Sequence, residues 1–275
     1  MFERLRERRF EIDFRSHAEA ILQIDFPEVA EQLESVLAMS TIPIEEIIGS
    51  GGGETKGTQR LRRSLMAEGW LKHNFVVQRI IDGRPRESQS HEIDHVKSFD
   101  AGTIALEIEW NNKDPFFDRD LENFKRLHAD GGISIGIIVT RGATLQNALH
   151  ELVKRFADEQ RINSHDDMKR IGLNPTSRQI RDVMKRVQRN QNPIPFREAW
   201  SDQFVSDKFG MATTHWSKLQ DRVQRGVGNP CPLVLIGLPS SIVTFGEDHA
   251  EVQQLIEEGE GFMDSEPAPY RRPPE

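Results

Sequence analysis

The sequence predicts an α/β fold in which a mixed β-sheet is flanked by helices and the core runs in the order α-β-β-β-α-β. Three observations predict it. First, Thr103-Ile-Ala-Leu-Glu-Ile-Glu-Trp110 alternates with strand period, placing Ile104, Leu106, Ile108 and Trp110 on one face and Ala105, Glu107 and Glu109 on the other. Second, Ile133 to Val139 is the kind of continuous apolar run that marks a strand buried on both faces, and Leu233 to Leu238 supplies a further strand for the same sheet. Third, helical periodicity brackets these strands on either side.

Taken in order, residues 1–50 form a helical scaffold, with apolar positions from Ala20 to Leu37 broken near Pro27. The cluster Gly49-Ser-Gly-Gly-Gly53 opens an amphipathic helix over Glu54 to Gly69, with Leu61, Leu65 and Met66 on one side and basic residues on the other. Extended segments follow at Phe75–Ile81, Ser88–Val96 and Thr103–Trp110. The turns at Asp82-Gly83 and Phe99-Asp-Ala-Gly102 join them into an antiparallel meander. A helix over Asp118–Ala129 turns Leu121, Phe124 and Leu127 inward and ends at Gly131-Gly132. A second amphipathic helix covers Ala143–Gln160, a polar stretch runs to Arg197, and a last helix starts near Thr213-Thr-His-Trp216 and ends near Gly226. This gives a scaffold over 1–50, a core over 51–142, an extension of the same domain over 143–262 that carries partner contacts, and a loose proline-rich tail over 263–275.

With 275 residues and 36% hydrophobic content, the chain can bury the core of one large α/β domain. It has no apolar run of bilayer length and its N-terminus lacks an apolar signal region, so a cytoplasmic protein without a membrane partner is expected. The single cysteine, Cys231, excludes an intramolecular disulfide and reads as a buried thiol. A formal charge of −8 argues against nucleic-acid binding through bulk positive charge. The cations are nevertheless clustered, in Lys56 to Arg63 and in Lys169 to Arg189.

Glu107 and Glu109 share a strand face, and Asp94 on the preceding strand can converge with them on a divalent ion. Phosphodiester hydrolysis needs such an ion to activate water and neutralise phosphate, and hard ions such as Mg2+ take carboxylate and carbonyl oxygens. Asp94, Glu107 and the carbonyl of Ile108 are the candidate ligands, with Glu109 beside the attacking water. The plainer reading is a solvated sheet face. The apolar opposite face and flanking helices point instead to a central strand, where unpaired acids are costly to bury.

Overlapping this, His91-Glu-Ile-Asp-His95 satisfies the H-E-x-x-H pattern of zinc proteases, which requires both histidines on one helical face. The glycine cluster lacks the G-K-[ST] of a phosphate-binding nucleotide loop. Lys56, Gln59, Arg60 and Arg63 could follow a DNA backbone from a helix N-terminus, or serve as the solvated face of a capped helix. Arg178, Gln179, Arg181 and Lys185, on a capped helix after Asn174-Pro, could read base edges or equally form a solvated face. Asn112 and Lys113 are near enough to the acidic strand to touch substrate, although a turn explains them too. His215-Trp216 reads as helix-start packing.

Asp94 followed by Glu107-Ile-Glu109 on the next strand, inside an α-β-β-β-α-β core, resembles the PD-(D/E)XK nucleases. Within that superfamily it resembles the restriction endonucleases of the BglII and BamHI type, which carry an acid or amide where most members have lysine; Glu109 fits that variant. The segment Glu107-Ile-Glu-Trp-Asn-Asn-Lys-Asp-Pro-Phe-Phe117 resembles their acidic strand and following loop. Ile93 stands where a proline is usual. The resemblance implies Asp94 and Glu107 as metal ligands, Glu109 as the group that orients or deprotonates water, and an upstream polar residue for which Glu54 and Asn74 are candidates. It also implies a Mg2+-dependent type II endonuclease, acting as a homodimer on palindromic double-stranded DNA and leaving 5′-phosphate ends. A non-catalytic DNA-binding protein of the same fold and the zinc protease are the alternatives.

Overall fold

In the computed structural model, which describes residues 1–49 and 55–246, the chain forms these elements in order: α1 (Glu3–Glu7), β1 (Glu11–Arg15), α2 (Ala18–Asp25), α3 (Pro27–Ala38), β2 (Ile42–Pro43), α4 (Ile44–Gly49), α5 (Lys56–Ala67), β3 (Leu71–Ile81), β4 (Arg84–Phe99), β5 (Gly102–Glu109), α6 (Phe116–Ala129), β6 (Ile135–Arg141), α7 (Ala143–Glu159), α8 (His165–Arg170), α9 (Ser177–Val187), α10 (Phe196–Phe209), α11 (Trp216–Gln224), β7 (Leu233–Leu238) and β8 (Val243–Thr244). Glu54, Gly51 to Gly53 and the tail lie outside the described residues.

Six strands make one mixed sheet in the order β1-β7-β6-β5-β4-β3. The β3–β4–β5 meander is antiparallel, β5, β6 and β7 are mutually parallel, and β1 closes the far edge antiparallel to β7. The expected α-β-β-β-α-β order is thus α5 to β6. The N-terminal region is more than helical scaffold, because its residues 11–15 form that edge strand. The polar stretch before Arg197 also proves structured: it contains α8 and α9, and α10 starts within it.

Both faces of the sheet are covered, which explains why β6 and β7 are apolar without alternation. One face packs Ile104, Leu106, Ile137, Val139, Val234 and Ile236 under α2 to α5, α7 and α10. The other packs Ile93, Val96, Ala105, Ile138 and Leu235 under Phe117, Leu121, Phe124 and Leu127 of α6 and Leu219 and Val223 of α11. At Gly136 the sheet comes so close to α6 that an added Cβ would lie 2.4 Å from Phe124 Cδ2.

The register of the meander positions the acids. The β4–β5 ladder runs from Phe99↔Gly102 to His95↔Leu106 and ends there. One rung further the two chains would oppose Asp94 and Glu107. Between the rungs Leu71↔Val96 and His73↔Ile93, β4 carries an extra residue, a bulge that puts Ile93 and Val96 three apart on one face and re-aims the residues between them. β4 then continues away from β5 in the company of β3, opening a fork with Asp94 on one arm and Glu107 on the other.

Candidate active site

Glu107 and Glu109 are 5% and 3% exposed, and Asp120 of α6, which covers this face, is 1% exposed. Asp94 by contrast projects with its side chain 56% exposed. Burial, with the nearby charges of Asp120, Asp94 and Glu109, pushes the Glu107 carboxyl up to about 9. Burial and Asp120 push Glu109 up to about 8, against the opposing pull of a hydrogen bond from Asn112 and the charge of Arg119. Asp120 is also raised, chiefly by burial. Its Oδ2 has no partner among the described residues, and a proton held between it and Glu109 would satisfy it.

Glu109, Asp120 and Asp94 each have a polar neighbour, and sequence reasoning found these only in part. Asn112 Nδ2 donates to Glu109 Oε2 at 2.7 Å. Arg119 Nε donates to Asp120 Oδ1 at 2.8 Å, its Nη2 lies 2.7 Å from the same oxygen as an ion pair, and that Nη2 lies 3.5 Å from Glu109 Oε1. Lys72 of β3, which the sequence reading passed over, lies 2.7 Å from Glu92 and 3.8 Å from Asp94. Its hydrogen bond to Glu92, followed by the charges of Asp94 and Glu107, holds the Lys72 ammonium above its ordinary value. Asp120 did carry a signal in the sequence. It stands four residues before Phe124, an acid placed on the apolar stripe of its helix.

Behind the acids, the loop after β5 is tied down by Arg141, a fully buried cation at the end of β6. Its guanidinium donates to the carbonyl of Trp110 at 2.7 Å, Gln146 Oε1 at 2.6 Å, Thr213 Oγ1 at 2.7 Å and the carbonyl of Thr214 at 2.6 Å. Burial lowers it to about 9. Lys113 pairs with Thr213, and Asn112 exchanges hydrogen bonds with Thr214, so the turn that presents Asn112 is fixed from two sides.

Among the described residues no group of three His, Cys, Asp or Glu side chains already forms an ion cage. A hard ion of the Mg2+ kind does not need one, since it is usually held by one or two carboxylates, with water and phosphate oxygens completing its shell. Here the donor set fits such an ion: a surplus of crowded, buried carboxyls, together with a backbone oxygen. Carbonyls alternate in direction along a strand. The carbonyl of Glu109 accepts from Thr140 on the β6 side at 2.7 Å, so that of Ile108 is directed to the β4 side, where the ladder has already ended.

The zinc-protease reading fails on this geometry. His91 to His95 lies within the strand β4, not a helix, and His95 is buried with its imidazole pushed down to about 4, mainly by burial.

Of the other predicted contacts, Asn74 is exposed on the same side of β3 as Lys72, with Glu92 as its strand partner. Arg60 is not available to a phosphate. It binds Glu46 at 2.5 and 2.9 Å and the carbonyl of Thr41 at 3.1 Å, tying α5 to the preceding segment. Lys56 is exposed, while Gln59 and Arg63 are half-buried. Gln179 forms a capping box with Thr176 at the start of α9, which is a helix-start role rather than a base-reading one. Arg181 is exposed; Arg178 lies 3.5 Å from Asp182 and Lys185 3.6 Å from it, ion pairs too exposed to hold them against a competing phosphate. His215 is the buried residue capping α11, in line with helix-start packing. Cys231 is buried, its thiol pushed up to about 12.

The sequence matches the family described as restriction endonuclease BglII/BglIII over residues 10–238, from just before β1 to the end of β7. The chain belongs to this restriction endonuclease family. No curated protein matches it. A type II site-specific deoxyribonuclease of this family binds and cleaves DNA, and the mixed sheet with flanking helices is consistent with the restriction-endonuclease-like fold. The matched span takes in all six strands of the main sheet. Among the described residues no helix is long and apolar enough to cross a membrane.

Proposed function

We propose that this endonuclease uses Mg2+, cuts both strands of a palindromic double-stranded site as a homodimer in the cytoplasm, and leaves 5′-phosphate ends. The observation that carries the reading is the fork between β4 and β5. It sets Asp94 against the buried Glu107 and Glu109 at the point where the Ile108 carbonyl is turned to the open side. Asp94, Glu107 and that carbonyl would hold the ion. When bound, it supplies positive charge to the scissile phosphate and makes the attacking water more acidic.

The chain's own residues do the rest. Glu109, with Oε2 fixed by Asn112, would be drawn into its ionised form by the positive charge of a bound ion and would then take a proton from the water that attacks phosphorus. The P–O3′ bond breaks as the new P–O bond forms, so the phosphate stays on the 5′ side and O3′ leaves with a proton from solvent. Two-fold protein symmetry suits a two-fold symmetric site. The exposed cations Lys56, Lys113, Arg178, Arg181 and Lys185 are the phosphate contacts we assign, with Gln59 and Arg63 beside Lys56. Neither Arg60 nor Gln179 belongs to that set.

The test is digestion of a phage genome of known sequence, with the fragment ends read by sequencing. Discrete, palindromic ends that ligate without added kinase, made with Mg2+ and not with EDTA, are expected. Cutting that persists in EDTA, or ends lacking two-fold symmetry, would refute the assignment.

A further inference from the structure

The acidic site contains one cation presented in a way that charge neutralisation alone does not require. Arg119 is anchored by two of its nitrogens to one oxygen of Asp120, a carboxylate 1% exposed. Its guanidinium also lies over the Phe116 ring, 4.5 Å from the centroid. These contacts fix the plane of the fork. Yet the side chain is 53% exposed, Nη1 has no partner among the described residues, and Nη2 is 3.5 Å from Glu109 Oε1. An arginine that served only to neutralise Asp120 would gain most from being enclosed with it. This one is held from behind and shows its remaining edge to solvent beside the proposed general base. A planar, permanently charged fork matches two phosphate oxygens, and fixing it beforehand removes the entropy otherwise lost on binding.

We propose that Arg119 is a catalytic residue that donates hydrogen bonds to non-bridging oxygens of the scissile phosphate, and that Asp120 is the positioning residue that aims it. This rests on the cleavage site described above. Arg119 transfers no proton. It offsets the charge that gathers on those oxygens as the water adds, an interaction that strengthens toward the transition state. A contact of this kind affects rate more than affinity.

The experiment uses the full chain and a short duplex carrying the site mapped from the phage digest. It measures single-turnover cleavage at saturating enzyme in Mg2+ and duplex affinity in Ca2+. Arg119→Gln should slow cleavage by on the order of 10²–10³-fold, the usual effect of losing a donor to the developing charge, with affinity changed by less than about fivefold. Arg119→Lys, which keeps the charge and loses the fork, should fall between it and the wild type. Free guanidine at millimolar concentration should restore part of the rate of Arg119→Ala and none of that of Asp94→Asn. Asp120→Asn should slow cleavage less than Arg119→Gln does, and adding it to Arg119→Gln should lower the rate little further.

Near-normal rates in Arg119→Gln, or a loss confined to affinity with a shallower salt dependence, would overturn the proposal, the latter by moving the contact to a flanking phosphate. So would a rate loss that guanidine fails to rescue in a variant with the wild-type thermal transition. Asp94→Asn, run in parallel, separates the two readings. If it cuts normally, the site itself is misassigned; if it is inactive while Arg119→Gln is normal, only the role of Arg119 fails.

Discussion

Replacing Glu107 by glutamine should make the metal-free enzyme more stable while removing its activity. The Glu107 carboxyl is displaced from 4.5 to about 9 by burial among other acids. A group whose pKa is raised on folding contributes stability that is complete below its unfolded value and is lost as pH rises through its folded value. At pH 7 the unfolded chain holds this side chain ionised and the folded chain holds it protonated. With about 1.4 kcal/mol per pH unit, the 2.5 units between 4.5 and 7 amount to roughly 3 kcal/mol. A neutral amide of the same shape escapes that cost, so Tm at pH 7 should rise by roughly 6–12 °C for a chain of this size.

Glu109 and Asp120 are raised as well, so Glu107→Gln should flatten the fall of Tm with pH rather than abolish it. Added Mg2+ or Ca2+ should stabilise the wild type, increasingly so at higher pH because binding displaces the proton, and should stabilise the variant far less. Calorimetry from pH 5 to 9, with and without the ion, checks all of this. Parallel curves for the two proteins, or equal stabilisation by the ion, would refute the electrostatic account of the site.

Asp94→Asn should abolish cleavage and leave Tm nearly unchanged, since Asp94 is exposed and its ion pair to Lys72 is long; plasmid cutting and a melting curve suffice. Glu109→Ala should lose on the order of 10²-fold or more in single-turnover rate, and a rate within about threefold of wild type would demote Glu109 to a bystander. Arg60→Ala should lower stability while leaving the salt dependence of DNA binding unchanged, because its partners are Glu46 and Thr41. Lys56→Ala should reduce the log–log salt slope by ~0.9, measured by titration at several ionic strengths. Gly136→Ala should destabilise by roughly 1–3 kcal/mol in urea unfolding, as its methyl would meet Phe124 at 2.4 Å.

The parts of this fold that could be read from the sequence are those where one residue's environment repeats along an element. β5 alternates because α6 covers its acidic side and the N-terminal helices its apolar side. β6 and β7 lack alternation because both their faces are dry. What escaped had no such regularity. β1 alternates over only five residues, all of them half-buried at a sheet edge. α10 buries Ala199, Trp200, Ser201, Gln203, Val205 and Phe209 between α7 and α9, so contacts all round the helix leave no apolar stripe to detect. The bulge in β4 explains the rival motif too: the extra residue spaces Ile93 and Val96 as a helix would, which made a helical H-E-x-x-H segment conceivable. In the site, Glu107 and Glu109 announced themselves by strand period. Lys72, Arg119 and Arg141 did not, because their importance comes from partners distant in sequence or from the neighbouring element.

The location of the acids follows from the sheet itself. A strand interior commits its backbone groups to two neighbours, so a ligand can reach them only where one neighbour leaves. On β5 that happens after Leu106, while pairing to β6 continues through Glu109. The last residues of β5 are therefore rigid on one side and unpaired on the other, which holds carboxylates in place yet leaves the Ile108 carbonyl without a partner on β4. Placing acids there costs folding energy, as the raised values of Glu107, Glu109 and Asp120 show. The chain offsets that cost only in part, with Arg119 and Lys72, two cations whose side chains are more than half exposed. Enclosing either one would have neutralised the cluster more fully and left less for a divalent ion and a phosphate to complete. In a chain already carrying a charge of −8, a buried cluster of uncompensated acids is retained where something that binds supplies the missing positive charge.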